Sequence, residues 1–584
     1  MSIGSKNSQN LERAELKRVL AVARGETRPD LLVKNIRILD LVNGGEKDSC
    51  LAICGKTIAG VGLEYLEAGG TRVVDGKGAV VVPGFIDGHL HIESSLTQPF
   101  EFERLTLPLG TTTAICDPHE ITNVLGAKGF NWFLRCSEEM TQNLFVQASS
   151  CIPSLPGFET NGGDFPLEQM KKIKQHKNVL GLAEMMNFPG VINGDDEVLD
   201  KLEAFEDLNV DGHCPMVRGK ELNAYIAAGI QNCHETVGAE EGREKLEKGM
   251  ALIIREGSVA KNLDTLAPLV SEFNSPQCFL CTDDRNPFEI HHEGHINFMV
   301  KKLINDNGLA PHVAYRLSSF SAAKHFGLKR LGLIAPGKQA DFILLNDVEQ
   351  VGIDAVYIKG KEVGSLELEK NMAEKFQLSH PPLENSILRE VVKTSEFNFD
   401  LTDGTYNVIG IIPEEIITNH LKIEYANGAF VEEDVLKIAV FERYGKNQAP
   451  ALGLVKGLGL REGAIASSVA HDSHNLIVIG TNEDDMALAL NTLIESGGGF
   501  SITCKKEVRA LLPLPIAGIM TAEPGEKITE NITILKREFK RLGVVLEEPF
   551  LQMAFLALPV IPNLKITDKG LVDVSQFKFT ELRV

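Results

Sequence analysis

Ala79-Val-Val-Val-Pro-Gly-Phe-Ile-Asp-Gly-His-Leu-His-Ile-Glu93 opens as an apolar, largely β-branched run of the kind that forms a buried strand. It ends in polar residues that packing does not require. His89 and His91 are two apart, so on a strand both imidazoles share one face and Leu90 and Ile92 share the other. Two imidazoles converging on a point make half a metal site. A pair of hydrogen-bonded core histidines is the plainer reading, and the rest of the chain decides between them.

Downstream, the chain repeats a strand, loop and helix pattern. The expected strands are 110–116, 144–149, 179–184, 209–213, 229–234, 250–255 and 277–283, and with the first they make eight. Eight such repeats over about 250 residues fit a (β/α)8 barrel. A doubly wound open sheet is the competing architecture, but no glycine-rich dinucleotide turn follows the first strand. Most strands end in a group that binds metal or polarises a substrate: His89 and His91, Asp117 and His119, Glu184, His213, His234, Arg255, and Asp283 with Asp284. In a barrel these ends converge on one mouth.

Around the barrel (79–334), residues 1–78 read as a helix over Asn10 to Gly25 followed by short strands of a small β domain. Residues 335–375 return to complete it, as Ala335 to Leu345 and Asp354 to Val363. Phe376 to Glu390, with Pro381 and Pro382, reads as a linker. Residues 390–584 read as a C-terminal α+β domain with strands 435–441 and 475–480 and a helix starting near Asn482. The fold class is thus α/β: a metal-dependent barrel, a small β-sandwich domain built from both flanks, and the α+β domain.

Length and composition set the broad class. The 584 residues are 43% hydrophobic and 24% charged, as in a globular protein. A net charge of −21 argues against a nucleic-acid partner. There is no apolar signal core and no run long enough to span a membrane. The ten scattered cysteines, several in apolar runs, read as reduced thiols of a cytoplasmic protein. Cys278 and Cys281 lie on opposite faces of an expected strand, which disfavours a zinc knuckle.

His89, His91, His213 and His234 offer nitrogen ligands, and Asp283 and Glu184 offer carboxylates. A carboxylate closing an apolar strand needs a cation, either metal ions or an arginine such as Arg255. Together the six can hold two divalent ions with Glu184 able to bridge. Ligation without thiolate suits Mn, Fe or Zn. A shared water would be acidified, and Asp283 or Asp284 could take its proton. On a strand only one of those neighbours can face the axis, which leaves the other as a supporting or substrate contact. Pro118 keeps Asp117 out of a helix. His119 and Glu120 could then touch substrate or leaving group, or merely cap the next helix. Arg255 and Asp284 are further candidates for substrate binding. His471-Asp-Ser-His474 reads as a loop over the barrel mouth or a surface turn rather than a further metal site. The glycines at 497–499 read as a plain turn, and His291 and His295, four apart, as a helix on the barrel rim.

Pro83-Gly-Phe-Ile-Asp-Gly-His-Leu-His91 resembles the first-strand motif of the amidohydrolase superfamily. The resemblance narrows to its adenine deaminase family at Ile92-Glu-Ser-Ser95, Gly110-Thr-Thr-Thr113, Asp117-Pro-His-Glu120, Asp211-Gly-His-Cys-Pro215, Cys281-Thr-Asp-Asp-Arg285, Glu293-Gly-His-Ile296 and Ala470-His-Asp-Ser-His-Asn475. Many amidohydrolases bridge their metals with a carboxylated lysine; here Glu184 ends the fourth strand. Arg285-Asn-Pro departs from the family form, where histidine often follows the arginine. The resemblance implies hydrolysis of adenine to hypoxanthine and ammonia, in purine salvage or catabolism, with two divalent ions, manganese or iron by preference and zinc as the alternative. It implies one ion on His89, His91 and Asp283, the other on His213 and His234, and Glu184 between them. The zinc base-deaminase signature is absent: neither His91-Ile-Glu93 nor His291-His-Glu293 is followed by Pro-Cys-x-x-Cys. The expected partner is small-molecule adenine, and the expected assembly a homo-oligomer, a dimer by preference. A barrel hydrolase of cyclic amides or N-acetyl groups, and a non-catalytic scaffold, are the other readings.

Overall fold

The structure, a computed structural model, describes residues 11–447 and 449–584. The start of the expected N-terminal helix, at Asn10, lies outside the described residues; the helix is seen over Arg13–Ala23.

Eight parallel strands form the barrel: β1 (Phe85–Leu90), β2 (Thr111–Cys116), β3 (Asn143–Ala148), β4 (Val179–Met185), β5 (Asn209–Gly212), β6 (Asn232–Cys233), β7 (Ala251–Arg255) and β8 (Cys278–Cys281). β1 to β5 pair in sequence order, as do β6 to β8. Two seams join these groups. At one, Gln231 N–H donates to the Val210 carbonyl at 3.1 Å. At the other, Asp283 N–H donates to the His89 carbonyl and His91 N–H to the Asp283 carbonyl, both at 3.1 Å. Gly88 permits this closure, because a Cβ there would lie 2.5 Å from the Phe279 ring. Apart from Asn143 and Phe145 of β3 and Asn209 of β5, the strand residues are buried, as parallel strands covered on both sides must be.

The opening stretch is two strands rather than the single one expected. Val80–Pro83 belongs to the small β domain, antiparallel to Phe342–Leu345 and parallel to Arg37–Ile38. Pro83 brings no N–H to a ladder, and Gly84 passes so close to Thr112 that a Cβ would lie 2.2 Å from its hydroxyl. There the chain changes sheets. Strands from both flanks complete one eight-stranded sheet. One face encloses Val33, Ile53, Phe342 and Tyr357, and the other packs on the barrel through Val82, Ile343 and Ile358. Residues 354–363 fold as a hairpin, Gly352–Ile358 against Lys361–Glu362, because Gly360 turns the chain at φ +77°. The expected linker begins later than its sequence suggests: Phe376 is buried in helix Leu368–Leu378.

The C-terminal part builds a nine-stranded sheet around Val435–Phe441. Helix Glu483–Ser496 covers one face, and the Asn482 side chain caps it by accepting from Asp485 N–H at 2.9 Å. Strand Gly499–Cys504 follows the glycine turn, as expected. One apolar core runs from barrel residues such as Val146 and Leu182 to Ile477 and Ile502 of this sheet. The ten cysteines are buried and free, and among the described residues no helix is long and apolar enough to cross a membrane.

Candidate active site

β1 ends with both imidazoles on one side, as its spacing requires. His89 Nε2 and His91 Nε2 lie 3.5 and 3.2 Å from Asp283 Oδ1. His91 Nδ1 meets the Asp117 carbonyl at 2.9 Å, so its proton sits there and Nε2 carries the free lone pair. His234, past β6, stacks on His89 with centroids 4.1 Å apart.

Glu184, in β4, stands between two groups of imidazoles. Its Oε1 is 3.7 Å from His89 Nε2, 3.3 Å from His91 Nε2 and 3.2 Å from His119 Nδ1. Its Oε2 is 2.6 Å from His213 Nδ1 and 3.3 Å from His234 Nε2. Burial pushes its pKa up, but His234, His119 and His213 together hold it well below the carboxylate range. His234 answers in the opposite sense: burial lowers it, yet Glu184 carries it up to about 9.

Asp283 and Asp284 both reach the site, contrary to the strand alternation expected of them. β8 stops at Cys281, and Asp283 takes φ +57°, so the alternating rule no longer applies. Asp283 Oδ2 accepts from Arg255 Nη1 at 2.8 Å. Burial raises the Asp283 pKa, but Arg255 first, then His89 and His91, hold it well below its usual value. Asp284, hydrogen-bonded to the Ser94 hydroxyl, is shifted the other way by burial and by the charge of Asp283.

Arg255 does not pair with Glu184, and it is not among the residues that line the site's cavity. Its guanidinium is taken by Glu235, at 2.9 Å from Nη2 to Oε2, by Asp283, and by Asn262. His119 starts helix His119–Leu125; Asp117 and Pro118 remain outside it. His119 Nδ1 is 3.1 Å from Asp117 Oδ2, and its Nε2 is 3.2 Å from Glu120 Oε1. Glu120 in turn meets His471 and His474 of the C-terminal sheet. Those histidines are buried, so the loop reading of 471–474 holds and the surface-turn reading does not. His291 and His295 do not share a helix, because Pro287–His292 ends between them. His295 is buried, with Nδ1 against the Thr111 hydroxyl at 2.9 Å and Nε2 against Asp87 and the Thr282 hydroxyl, both at 3.4 Å.

His91, His119, Glu120, Glu184, His213, His234, Asp283, Asp284 and His471 line one narrow cavity. Glu235, Asp472, Met186, Phe555 and Leu558 also line it and escaped the sequence reading. Glu235 had a signal: a second polar group beside His234, one strand before Arg255. The others come from loops whose approach only the tertiary fold sets.

The donor set fits divalent cations. His89 Nε2 and Glu184 Oε1 face one another and the neighbouring donors, are buried, and have no hydrogen-bond partner. Buried polar atoms left bare cost about 1–3 kcal/mol each, a cost that cation binding removes. His89, His234 and Asp283 form one compact donor group, and Glu184, His213 and His234 another. All are nitrogen or oxygen donors.

Sequence comparison agrees with this geometry. Residues 80–363 match the amidohydrolase family model, and residues 415–578 match the model of the adenine deaminase C-terminal domain. An adenine deaminase of Bdellovibrio bacteriovorus is 62% identical over 584 residues, all of both chains. One of Edwardsiella ictaluri is 53% identical over 583 residues, 100% of this chain and 99% of that one. Among solved structures, an enamidase described as a member of the amidohydrolase superfamily aligns over 57% of this chain and 95% of its own, at 18% identity and a TM-score of 0.45. With full-length relatives at such identity, and both of its characteristic parts matched, the chain belongs to the adenine deaminase family of the amidohydrolases.

Proposed function

We propose that the protein hydrolyses adenine to hypoxanthine and ammonia at a site for two divalent ions, manganese by preference, with iron or zinc as alternatives. The observation that carries this reading is the division of the Glu184 carboxylate, one oxygen toward His89 and His91, the other toward His213 and His234. His89, His91 and Asp283 would hold one ion, His213 and His234 the other, and Glu184 both. When bound, such a pair acidifies water and polarises the carbon that bears the amino group.

The remaining work belongs to the protein. Two carboxyls whose environments push their pKa values apart divide acid and base roles. Asp283, kept ionised by Arg255, takes the proton of the attacking water at Oδ1. Asp284, shifted up by burial and by Asp283, is the acid. It gives a proton to the departing amine and regains one from the added hydroxyl as that becomes the carbonyl, while the proton taken by Asp283 passes to the ring nitrogen beside the attacked carbon. Arg255 acts as a positioning residue for Asp283. His119 and Glu120 lie at the cavity edge, where they orient the heterocycle. Apolar Met186, Phe555 and Leu558 offer surface to a planar ring and exclude water from it. A complete donor set argues against a scaffold that has lost its chemistry. The buried free thiols support a cytoplasmic location. The proposed domains are 1–78, 79–334, 335–375 and 390–584, and a homodimer is the proposed assembly.

The test is a metal-stripped preparation reloaded with Mn²⁺ and given adenine, following ultraviolet conversion to hypoxanthine together with released ammonia. Turnover lost on stripping and regained on loading is expected. Protein with two ions bound and no action on adenine overturns the substrate.

A further inference from the structure

The segment Ala470–Asn475 joins two neighbouring strands of the C-terminal sheet, Ala464–Ser467 and Leu476–Gly480, and every residue of it is buried. It reaches across to the loop after β2 and meets Glu120. The Ala470 N–H donates to His474 Nδ1 at 3.2 Å, so the His474 proton is on Nε2, which donates to Glu120 Oε2. His471 Nδ1 lies 2.6 Å from Glu120 Oε1. Both oxygens of Glu120 are therefore taken by histidines of the C-terminal sheet. With the proton on His474 Nε2, this trio forms a hydrogen-bonded clasp between the barrel and the C-terminal sheet.

His471 is held on two sides and bare on a third. Glu120 fixes its Nδ1, and the Phe555 ring stacks on it at a centroid distance of 4.6 Å and 23°. Its Nε2 is buried with no hydrogen-bond partner. The same ring stands between the cavity that contains Glu184, Asp283 and Asp284 and an apolar pocket formed by Phe500, Ile532 and Phe539. A rigidly held polar atom without a partner, on a ring that borders a reaction cavity, can take a ligand atom that reaches it. A purine supplies the match: flat apolar faces and ring nitrogens that accept in the plane.

We propose that His471 Nε2 donates a hydrogen bond to a ring nitrogen of the bound purine, which makes the C-terminal domain part of the substrate subsite. The inference rests on the adenine reading. It assigns that domain a direct part in choosing an aza-heterocycle, beyond packing against the barrel.

Two substitutions separate the nitrogens of His471, since the amide of asparagine reaches the place of Nδ1 and that of glutamine the place of Nε2. H471N and H471Q are compared with the wild type for bound metal, thermal midpoint, kcat and KM on adenine, and inhibition constants of 1-, 3- and 7-deazaadenine. The expected result is unchanged metal content, a KM raised about tenfold or more in H471N, and a rise below about threefold in H471Q. One deaza analogue, lacking the accepted nitrogen, should bind wild type and H471N within about twofold. An unchanged KM in H471N, an equal penalty on every analogue, or loss of metal overturns the proposal. If the wild type, fully loaded, does not turn over adenine, the deamination reading falls by itself. Equilibrium binding of hypoxanthine to wild type and H471N then decides His471: a tenfold weakening supports the contact, and equal affinity, or no binding to either, overturns it.

Discussion

Arg255 Nη1 donates to Asp283 Oδ2 at 2.8 Å, so the carboxylate that faces His89 and His91 through its other oxygen arrives already oriented. The same guanidinium neutralises Glu235, and all three groups are buried. Replacing Arg255 with methionine leaves two buried carboxylates facing one another. Removing one partner from a buried ion pair costs about 3–5 kcal/mol. R255M should lower the thermal midpoint and cut activity about 10–100-fold, with weaker metal retention in dialysis. R255K, which keeps the charge and loses the fork, should fall between. An R255M enzyme with normal metal affinity would free Arg255 of its positioning role.

Glu184→Gln tests the bridge. Glutamine keeps the volume but offers one neutral acceptor where two charged oxygens serve two groups of imidazoles. Metal analysis should show the loss of about one ion per chain, with activity down about 100-fold or more. Full activity with two ions retained would sink the bridging assignment.

Asp284→Asn addresses the leaving amine. Asparagine accepts from Ser94 as Asp284 does but cannot deliver a carboxyl proton. kcat should fall about 10²–10⁴-fold while KM and metal content stay close to wild type. A parallel loss of metal would instead make Asp284 a ligand.

The grouping of His89, His91, Glu184 and Asp283 was legible in the sequence because each closes an apolar run, where a polar group has no packing reason to sit, and that of His213 and His234 because each ends an expected strand of the repeat. The eight-strand order followed from the same runs. The points that departed share a cause: local pattern gave way to tertiary pairing. Val80–Pro83 has the composition of a barrel strand, but it pairs with Phe342–Leu345, which lies more than 250 residues later. Asp283 and Asp284 escape alternation because the strand had already ended. Arg255 at a strand end resembles a substrate contact until Glu235 is placed beside it. Phe555, from a turn past the last C-terminal helices, carried no sequence mark of its approach to His471.

Lys565 gives a prediction away from the metal ligands. It is fully buried in the C-terminal part, and its Nζ donates to the Ile416 and Phe555 carbonyls at 2.8 and 3.0 Å. No carboxylate pairs with it among the described residues, and burial pulls its pKa down to about 7. A neutral amine has two N–H groups for those two acceptors, so the uncharged form is fully satisfied. In the unfolded chain the group titrates near 10.4. Below about pH 7 both states carry the proton and the burial cost is constant. Between about 7 and 10.4 the unfolded chain binds more protons, so stability rises with pH by up to about 1.4 kcal/mol per unit. K565M removes this dependence. The stability of wild type minus that of K565M, from paired unfolding curves at pH 6 to 10, should be flat at the acid end and then climb in favour of wild type. A difference that stays flat throughout would mean that the ammonium keeps its charge inside the fold, held by the two carbonyls.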